Sequence, residues 1–252
     1  MSATAFDMVR AVHRSFYIQA TFTYERMLAL GYTVCLLPFL RKLGASDSEM
    51  HDILKNNVKY FNTNPFLSTW VLGAEMNLQE QRLTGEGPRL EQVERFRKRI
   101  SQALAGPGDN LFWAALRPVS VLLGVMASCI SPVAALVTTF VTFNMPSFYV
   151  RLSGVIFGYR HGLNVVTVTN FDQYNRAARI LVKVGAFILV PAAVLMKTQS
   201  QTHEWTAIIA VLLAGGIMYF LLRKGWSVTL NLLILLVGVA LYASFVAAFS
   251  AF

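Results

Sequence analysis

"LAGPGDNLFWAALRPVSVLLG", residues 104–124, joins the charged part of this 252-residue chain to its longest uncharged stretch. Beyond Arg117 no charged residue occurs before Arg151. Glycine and proline mark turns, and Asp is a favoured helix N-cap. We therefore expect the Gly-Pro-Gly at 106–108 to end one helix and Asp109 to cap the next, with Arg117 at the entrance to the uncharged segment.

The charge is divided unevenly on the two sides of this junction. Residues 1–110 hold 13 Lys/Arg and 11 Asp/Glu, whereas residues 111–252 hold 9 Lys/Arg and only 2 acids. The whole chain is 55% hydrophobic and 14% charged, far from the roughly 25% charged residues of an average soluble domain. We therefore divide it into a charged amphipathic-helical region, 1–110, which is cytoplasmic or interfacial and partly core-forming, and a membrane region, 111–252. The surplus of basic residues is typical of cytoplasmic loops and does not indicate nucleic-acid binding.

The membrane region contains three candidate C-terminal spans and a fourth, irregular apolar stretch. The spans cover residues 180–196, 205–222 and 228–249, each close to the roughly 20 residues that a bilayer requires. Basic clusters at 176–183 and 223–224 are expected on the cytoplasmic side, which places the C-terminus outside. The N-terminal 16 residues lack the apolar core of a signal peptide, so we expect the chain to begin near Met1 on the cytoplasmic side.

The irregular apolar stretch, residues 119–150, contains no charge but is interrupted by Pro132 and is expected to end at Asn144–Pro146. Two interpretations compete: a single kinked span, or two half-helices of about 13 residues that form a re-entrant hairpin. We favour the hairpin because irregular backbone at membrane depth must be buried in protein. The segment that follows, 147–168, is predicted to be amphipathic, at the interface or against other helices.

The charged region is predicted to be helical. Ser46 and Glu49 have the spacing of a capping box in front of an amphipathic helix. A second amphipathic helix follows the loop at 83–88, with its apolar positions at Leu90, Val93, Phe96, Ile100 and Leu104. The predicted fold class is thus an all-α integral membrane protein with N-terminal amphipathic helices, a re-entrant or kinked hydrophobic hairpin, and about three C-terminal transmembrane helices.

No catalytic or metal-binding signature is present in the sequence. The four histidines are scattered, and the two cysteines, Cys35 and Cys129, are predicted to be buried thiols in apolar surroundings. We therefore expect no cofactor, no metal and no catalytic residue. A rival class, a membrane enzyme acting on lipid-linked substrates, would need clustered acids for a metal, which the membrane region does not supply.

Polar residues embedded in apolar sequence form three clusters that suit a polar-substrate path. Each also has a simpler interpretation: Asn64-Pro65 as a capped helix start, Asp109 as an N-cap, and Arg117 as a snorkelling side chain. Planar amides and carboxylates bind the hydroxyl groups of sugars, so we favour a substrate path for these clusters. The same residue types would also suit an interface with a partner protein. The candidate residues are Gln19, Glu25, Asn62, Asn64, Asp109, Asn110 and Arg117.

Four blocks of this sequence resemble the enzyme IID component of mannose-family phosphotransferase systems. They are "RSFYIQATFTYERMLALGYTVCLLPFLRKL", "YFNTNPFLSTWVLGAEMNLQEQ", "AGPGDNLFWAALRPV" and "RLSGVIFGYRHGLNVV", in order over residues 10–185. Asn64 stands where the family often has His, and Thr23 where Asn is common. The resemblance is carried by the four blocks together and covers most of the chain.

The resemblance implies a membrane subunit of a sugar permease in the bacterial cytoplasmic membrane. With a IIC subunit it would form the channel for a hexose or amino sugar, in a higher oligomer of IIC–IID pairs. IIA and IIB phosphocarrier proteins would phosphorylate the sugar as it emerges. The IID component itself is not a phosphoryl carrier, and an alternative is an assembly subunit that supports IIC without touching the sugar.

Overall fold

The computed structural model describes residues 3–169 and 171–199, with isolated positions at 216, 220 and 224. The chain divides into two compact units, Met1–Ile188 and Leu189–Phe252. Over the described residues the secondary structure is helical, apart from two isolated β-bridges, which confirms the predicted all-α class. The helices are α1 (Ala5–Ser15), α2 (Ala29–Lys42), α3 (Asp47–Asn57), α4 (Ser68–Leu83), α5 (Leu90–Leu111), α6 (Arg117–Ala127), α7 (Pro132–His161), α8 (Val165–Val168) and α9 (Phe171–Gln199).

Two of the N-terminal helices begin with reciprocal side-chain caps. Ser46 accepts a hydrogen bond from the Glu49 amide, and the Glu49 carboxylate accepts one from the Ser46 amide, so the spacing noted in the sequence starts α3. Thr4 and Asp7 form the same capping box at α1. These caps satisfy backbone donors that a helix start otherwise leaves without partners.

The Gly-Pro-Gly at 106–108 is not a turn, and Asp109 is not an N-cap, so these two predictions are wrong. Helix α5 runs through Pro107 to Leu111 and continues, through a π-helical turn at Phe112–Leu116, into α6. Packing requires a glycine at position 108, because a Cβ there would lie 2.4 Å from the Asn64 Cβ. The division expected at residue 110 falls inside this continuous helix.

The π-helical turn precedes Pro118, the second residue of α6. A proline ring clashes with the carbonyl four residues earlier and has no N–H to donate. A wider turn ahead of Pro118 accommodates the ring, and its closing bond runs from the Arg117 amide to the Phe112 carbonyl. The widened turn therefore allows the helix to continue past the proline.

The uncharged stretch folds as two packed helices, α6 and α7, joined by a turn at residues 128–131. The prediction that Asn144–Pro146 ends the second arm is wrong, because α7 continues through Pro146 and is 30 residues long. The Asn144 amide donates to the Phe140 carbonyl and the Ser147 hydroxyl to the Phe143 carbonyl, so side chains supply local bonds around the proline. Among the described residues, 90–127 and 132–164 are long and apolar enough to cross a membrane.

Helices α4 and α7 form the centre of the first unit and pack with their backbones in close contact. A Cβ on Gly158 would lie 2.1 Å from the Trp70 carbonyl oxygen, and one on Gly73 would lie 2.1 Å from the Val155 carbonyl oxygen. Small residues on facing helices permit this approach. The segment 147–168, expected at an interface or against other helices, therefore packs largely against α4.

The two cysteines differ in environment. Cys35 is buried in α2, as expected, but Cys129 is exposed in the turn between α6 and α7, so the prediction of two buried thiols is wrong for Cys129. The first predicted C-terminal span, 180–196, lies within α9. The second and third spans and the orientation of the C-terminus lie outside the described residues.

Candidate functional site

The segment between α3 and α4, residues 61–67, is held in place by backbone pairing with the loop that follows α1. The Leu28 amide donates to the Phe61 carbonyl over 2.9 Å, and the Phe61 amide donates to the Arg26 carbonyl over 3.3 Å. Thr23 and Met27 pair across the tip of that loop, with Met27 at a φ of +54°. Two of the sequence blocks thus meet through backbone hydrogen bonds.

Two of the predicted site residues, Asn64 and Asp109, are hydrogen-bonded to each other. The Asn64 Nδ2 donates to Asp109 Oδ1 over 2.9 Å, and the Asn64 Oδ1 accepts from the Phe66 amide over 3.0 Å. Asn64 is buried, whereas Asp109 is exposed. The side chain of Asn64 thus forms an Asx turn and also fixes the carboxylate of Asp109 at the protein surface.

Aromatic side chains pack beside this pair, where the π-helical turn faces α7. Phe66 contacts Phe112, Trp113 and Phe143 with ring centroids 4.4, 5.4 and 5.7 Å apart. Trp113 and Phe143 also stack, at 6.1 Å. π-helical turns occur frequently at functional sites. This turn places the rings of Phe112 and Trp113 in the same aromatic cluster.

Two arginines lie over these rings. The Arg117 side chain is exposed, and its guanidinium lies 5.7 Å from the Trp113 ring centroid. This contact with one ring is a more specific interaction than snorkelling alone. The Arg151 guanidinium is buried between Phe16 and Phe66, at 5.0 and 4.8 Å, and donates to the Ser15 carbonyl over 2.7 Å. Arg151 was not among the predicted site residues, because its contacts are far apart in sequence.

The remaining predicted residues are exposed around this cluster. Asn62 precedes Asn64 in the same segment, and Asn110 follows Asp109 in α5. Glu25 is at the tip of the loop that pairs with Phe61, and Gln19 is in the turns after α1. In the part of the chain that the structure describes, no side-chain hydrogen bond joins these four to the Asn64–Asp109 pair.

A buried ionic network, which the sequence interpretation missed, lies behind the site. The Glu75 carboxylate accepts from Tyr32 over 2.7 Å and from Asn57 over 3.0 Å, and Gln79 donates to it over 3.3 Å. Arg97 pairs with it at 3.4 Å and also binds the Asn57 side chain. Each of the five side chains is buried. Arg97, one charge within the basic run of α5, carried no sequence signal that distinguished it from its neighbours.

This network is a structural anchor and not a metal site. Burial raises the pKa of the Tyr32 phenol well above its usual range, and the neighbouring Glu75 raises it further, so the phenol stays protonated and donates. Within residues 3–169 and 171–199, no group of three His, Cys, Asp or Glu side chains is placed to hold a metal ion. The network connects α2, α3, α4 and α5 behind the segment 61–67.

A family model, described as the PTS system mannose/fructose/sorbose family IID component, matches residues 3–248 of this sequence. The chain belongs to this family. The IID component is 30% identical over 154 residues to the PTS system mannose-specific EIID component of Escherichia coli K12, and the match covers 61% of this chain and 54% of that protein. It is 27% identical over 183 residues to the PTS system sorbose-specific EIID component of Lacticaseibacillus casei, covering 73% and 65%. The chain thus spans roughly half the length of the first of these relatives, and the resemblance inferred from the four blocks is confirmed.

Two solved structures share the fold of this IID component. One is a membrane protein with a TM-score of 0.75 and 24% identity, covering 97% of this chain and 98% of that one. The other is the cryo-EM structure of the mannose transporter ManYZ in complex with microcin E492, with a TM-score of 0.62 and 24% identity, covering 96% and 97%. Both are membrane proteins or transporters by description, in agreement with the apolar helices of this chain.

Proposed function

We propose that this IID component, together with a IIC subunit, forms the sugar translocation channel of a mannose-family permease. The sugar, a hexose or amino sugar, is phosphorylated by IIA and IIB proteins as it leaves the channel. In this proposal the phosphoryl group is carried by the IIA and IIB proteins and not by this chain. It resides in the bacterial cytoplasmic membrane in a higher oligomer of IIC–IID pairs.

One observation carries this proposal: the Asn64–Asp109 pair lies beside an aromatic cluster at the base of the uncharged hairpin. Sugars are recognised by planar hydrogen-bonding groups together with apolar rings, since a pyranose has polar edges and apolar faces. Asp109 and Arg117 are exposed, so their remaining hydrogen-bonding capacity is free to meet hydroxyl groups. Phe66 and Phe112 are buried, whereas Trp113 and Phe143 are partly exposed, so these two rings supply the apolar surface that a sugar needs beside the polar groups.

We also propose that α6 and α7 form a re-entrant hairpin. Within the hairpin, the backbone amides at residues 128–131 are all hydrogen-bonded, and Ser131 caps α7 through the Ala134 amide. Bonding of these amides lowers the cost of placing the turn in an apolar medium. The 11 residues of α6 rise only about 17 Å, roughly half of a hydrocarbon core, so an arm that starts with Arg117 at the surface does not cross the membrane by itself.

A second candidate function is an assembly subunit that supports IIC without touching the sugar. Asn64 favours this alternative, because it is buried and both of its polar groups already have protein partners. In that case Asp109 and Arg117 would face the IIC subunit, and their substitution would reduce assembly and not only transport. The two candidates therefore differ in whether uptake and assembly are lost together.

Coexpression tests the proposal. This chain, the IIC subunit, or both are expressed with IIA and IIB in a strain lacking other mannose-family permeases, and uptake of labelled mannose, fructose and sorbose is measured. We expect uptake only with both subunits, and co-purification of the two after detergent extraction. Full uptake by this chain alone, or by IIC alone, would contradict the proposal.

A further inference from the structure

Helix α1 has two apolar faces, only one of which is used inside the protein. Ala11, Val12 and Ser15 are buried in the core. The opposite side, together with the first turn after the helix, exposes Phe6, Val9, Arg10, His13, Phe16 and Tyr17, which we term the α1 stripe. These positions follow helical spacing and therefore share one face.

The large apolar side chains of the α1 stripe are too exposed for a surface that contacts only water. Phe6 is 71% exposed, Val9 is 56% exposed and Tyr17 is 62% exposed. Three large apolar side chains displayed along one short face mark an interaction surface and not a solvated one. An occupant with an apolar part is therefore expected.

The charges on the stripe are of one sign. Arg10 and His13 are exposed one turn apart, whereas Asp7, the only acid between residues 3 and 17, is directed to Lys42 and the Thr4 cap. The occupant is therefore expected to combine apolar and anionic groups. The headgroup region of an anionic lipid leaflet has this combination.

The stripe is continuous with the membrane-length surface of α7. Phe16 stacks on Phe148 of α7 with ring centroids 5.9 Å apart. Phe148 and Tyr149 are exposed, and the exposed α7 side chains before them carry no charge and, apart from Asn144, are apolar, including Leu136, Phe140 and Met145. The stripe therefore meets α7 where its uncharged run ends, close to Arg151, which is the level expected for a membrane–water interface with aromatic residues.

We propose that the α1 stripe is a binding site for anionic phospholipid, with Phe6, Val9 and Tyr17 against the headgroup-proximal part of the acyl chains and Arg10 on the phosphate. His13 lies one turn further along the same face and contacts Tyr17 edge-to-face at 5.6 Å. The stripe contains none of the groups assigned to the sugar path, and it touches the aromatic cluster only where Arg151 lies between Phe16 and Phe66. Lipid bound there would fix the depth of the N-terminal helices in the membrane relative to the hairpin.

A lipid-quenching experiment on the IIC–IID complex tests this site. In a Cys129→Ser background, Val9→Cys is labelled with an environment-sensitive fluorophore, while the buried Cys35 is spared. The complex is reconstituted in phosphatidylcholine vesicles that contain a headgroup-proximal nitroxide on either phosphatidylglycerol or phosphatidylcholine, at equal amounts. We expect quenching by both lipids and stronger quenching by phosphatidylglycerol.

Charge variants then test the role of Arg10. Arg10→Gln should lower the preference for phosphatidylglycerol about fivefold, the factor expected for one basic residue at a membrane surface. Lys55→Gln, which removes an exposed lysine of α3, serves as the matched control and should leave the preference unchanged. A fluorophore that neither lipid quenches would show that protein or water covers the stripe and would overturn the proposal. Equal quenching by the two lipids in the protein that retains Arg10 would also overturn the proposal. This outcome does not require the Arg10→Gln variant to be produced.

Discussion

Gly158→Ala is expected to destabilise the first unit strongly, because α4 and α7 touch through their backbones at this glycine. The added methyl carbon would lie 2.1 Å from the Trp70 carbonyl oxygen and 2.8 Å from the Ala74 amide nitrogen. Both are backbone atoms of α4, so no side chain can rotate away. The helices must separate instead.

The size of the effect follows from this separation. A normal carbon–oxygen contact is about 3.2 Å, so α4 and α7 must move apart by roughly 1 Å. Overpacking of this kind typically costs about 1–3 kcal/mol. The displacement also loosens the contact between Trp70 and Phe157, whose ring centroids are 4.6 Å apart, and aromatic pairs contribute about 0.5–1.5 kcal/mol. We expect a total loss of about 2–4 kcal/mol in the free energy of unfolding.

The matched control is Gly106→Ala in α5. Apart from its chain neighbours, a Cβ on Gly106 has no atom within 4 Å, and the better helix propensity of alanine, about 1 kcal/mol, offsets its crowding against the following Pro107. The two variants, purified with the IIC subunit in detergent, are heated and the remaining complex is measured by fluorescence-detected size-exclusion chromatography. Gly158→Ala should melt well below the wild type, and Gly106→Ala close to it. Equal melting temperatures for the two variants would refute the close contact between α4 and α7.

Three further predictions concern single groups. Arg97→Met should destabilise the complex by about 3–5 kcal/mol, because it leaves the Glu75 carboxylate buried without its cation, and adding Glu75→Gln should recover part of the melting temperature. Burial raises the pKa of Asp7, but hydrogen bonds from a lysine of α2 and from the helix cap outweigh this and leave its pKa below the usual range. Its contribution should therefore be present above pH of about 4 and disappear as the pH falls through the lowered value, so that wild type and Asp7→Asn melt alike in acid. Burial raises the pKa of the Cys35 thiol to about 12, so a maleimide at neutral pH should leave Cys35 unmodified in the folded protein and modify it once the protein is unfolded, as mass spectrometry of the products would show.

The sequence predicted those features that depend on neighbours within one or two turns. The capping box at Ser46 is local chemistry, and so is the apolar spacing of α5, where Val93, Ile100 and Leu104 are buried. The resemblance to the IID family also holds. Local patterns sufficed because caps and helix faces are set by spacing alone.

The junction was interpreted incorrectly because its glycines and prolines respond to tertiary contacts. Gly108 is small to let Asn64 approach, and Pro118 is accommodated by a widened helical turn, so neither ends a helix. The ion pair of Glu75 with Arg97 and the burial of Arg151 also depend on helices far apart in the chain. For Asn64 and Asp109 the sequence was sufficient to select each residue as a candidate. Their hydrogen bond to each other could not be predicted, because it joins two distant parts of the chain.

Sugar uptake by Asp109→Asn tests the central claim, that this junction is part of the sugar path. The substitution keeps an oxygen that can accept the Asn64 amide hydrogen, which is donated over 2.9 Å in the wild type, but it removes the charge. Loss of a charge-assisted hydrogen bond costs about 1.5–3 kcal/mol, or roughly ten- to a hundredfold in transport. We predict at least a tenfold fall in uptake with normal assembly with IIC, while Gln102→Ala, at an exposed position two turns earlier on the same face of α5, transports like the wild type. Near-normal uptake by Asp109→Asn at equal membrane levels would contradict a sugar path through this junction.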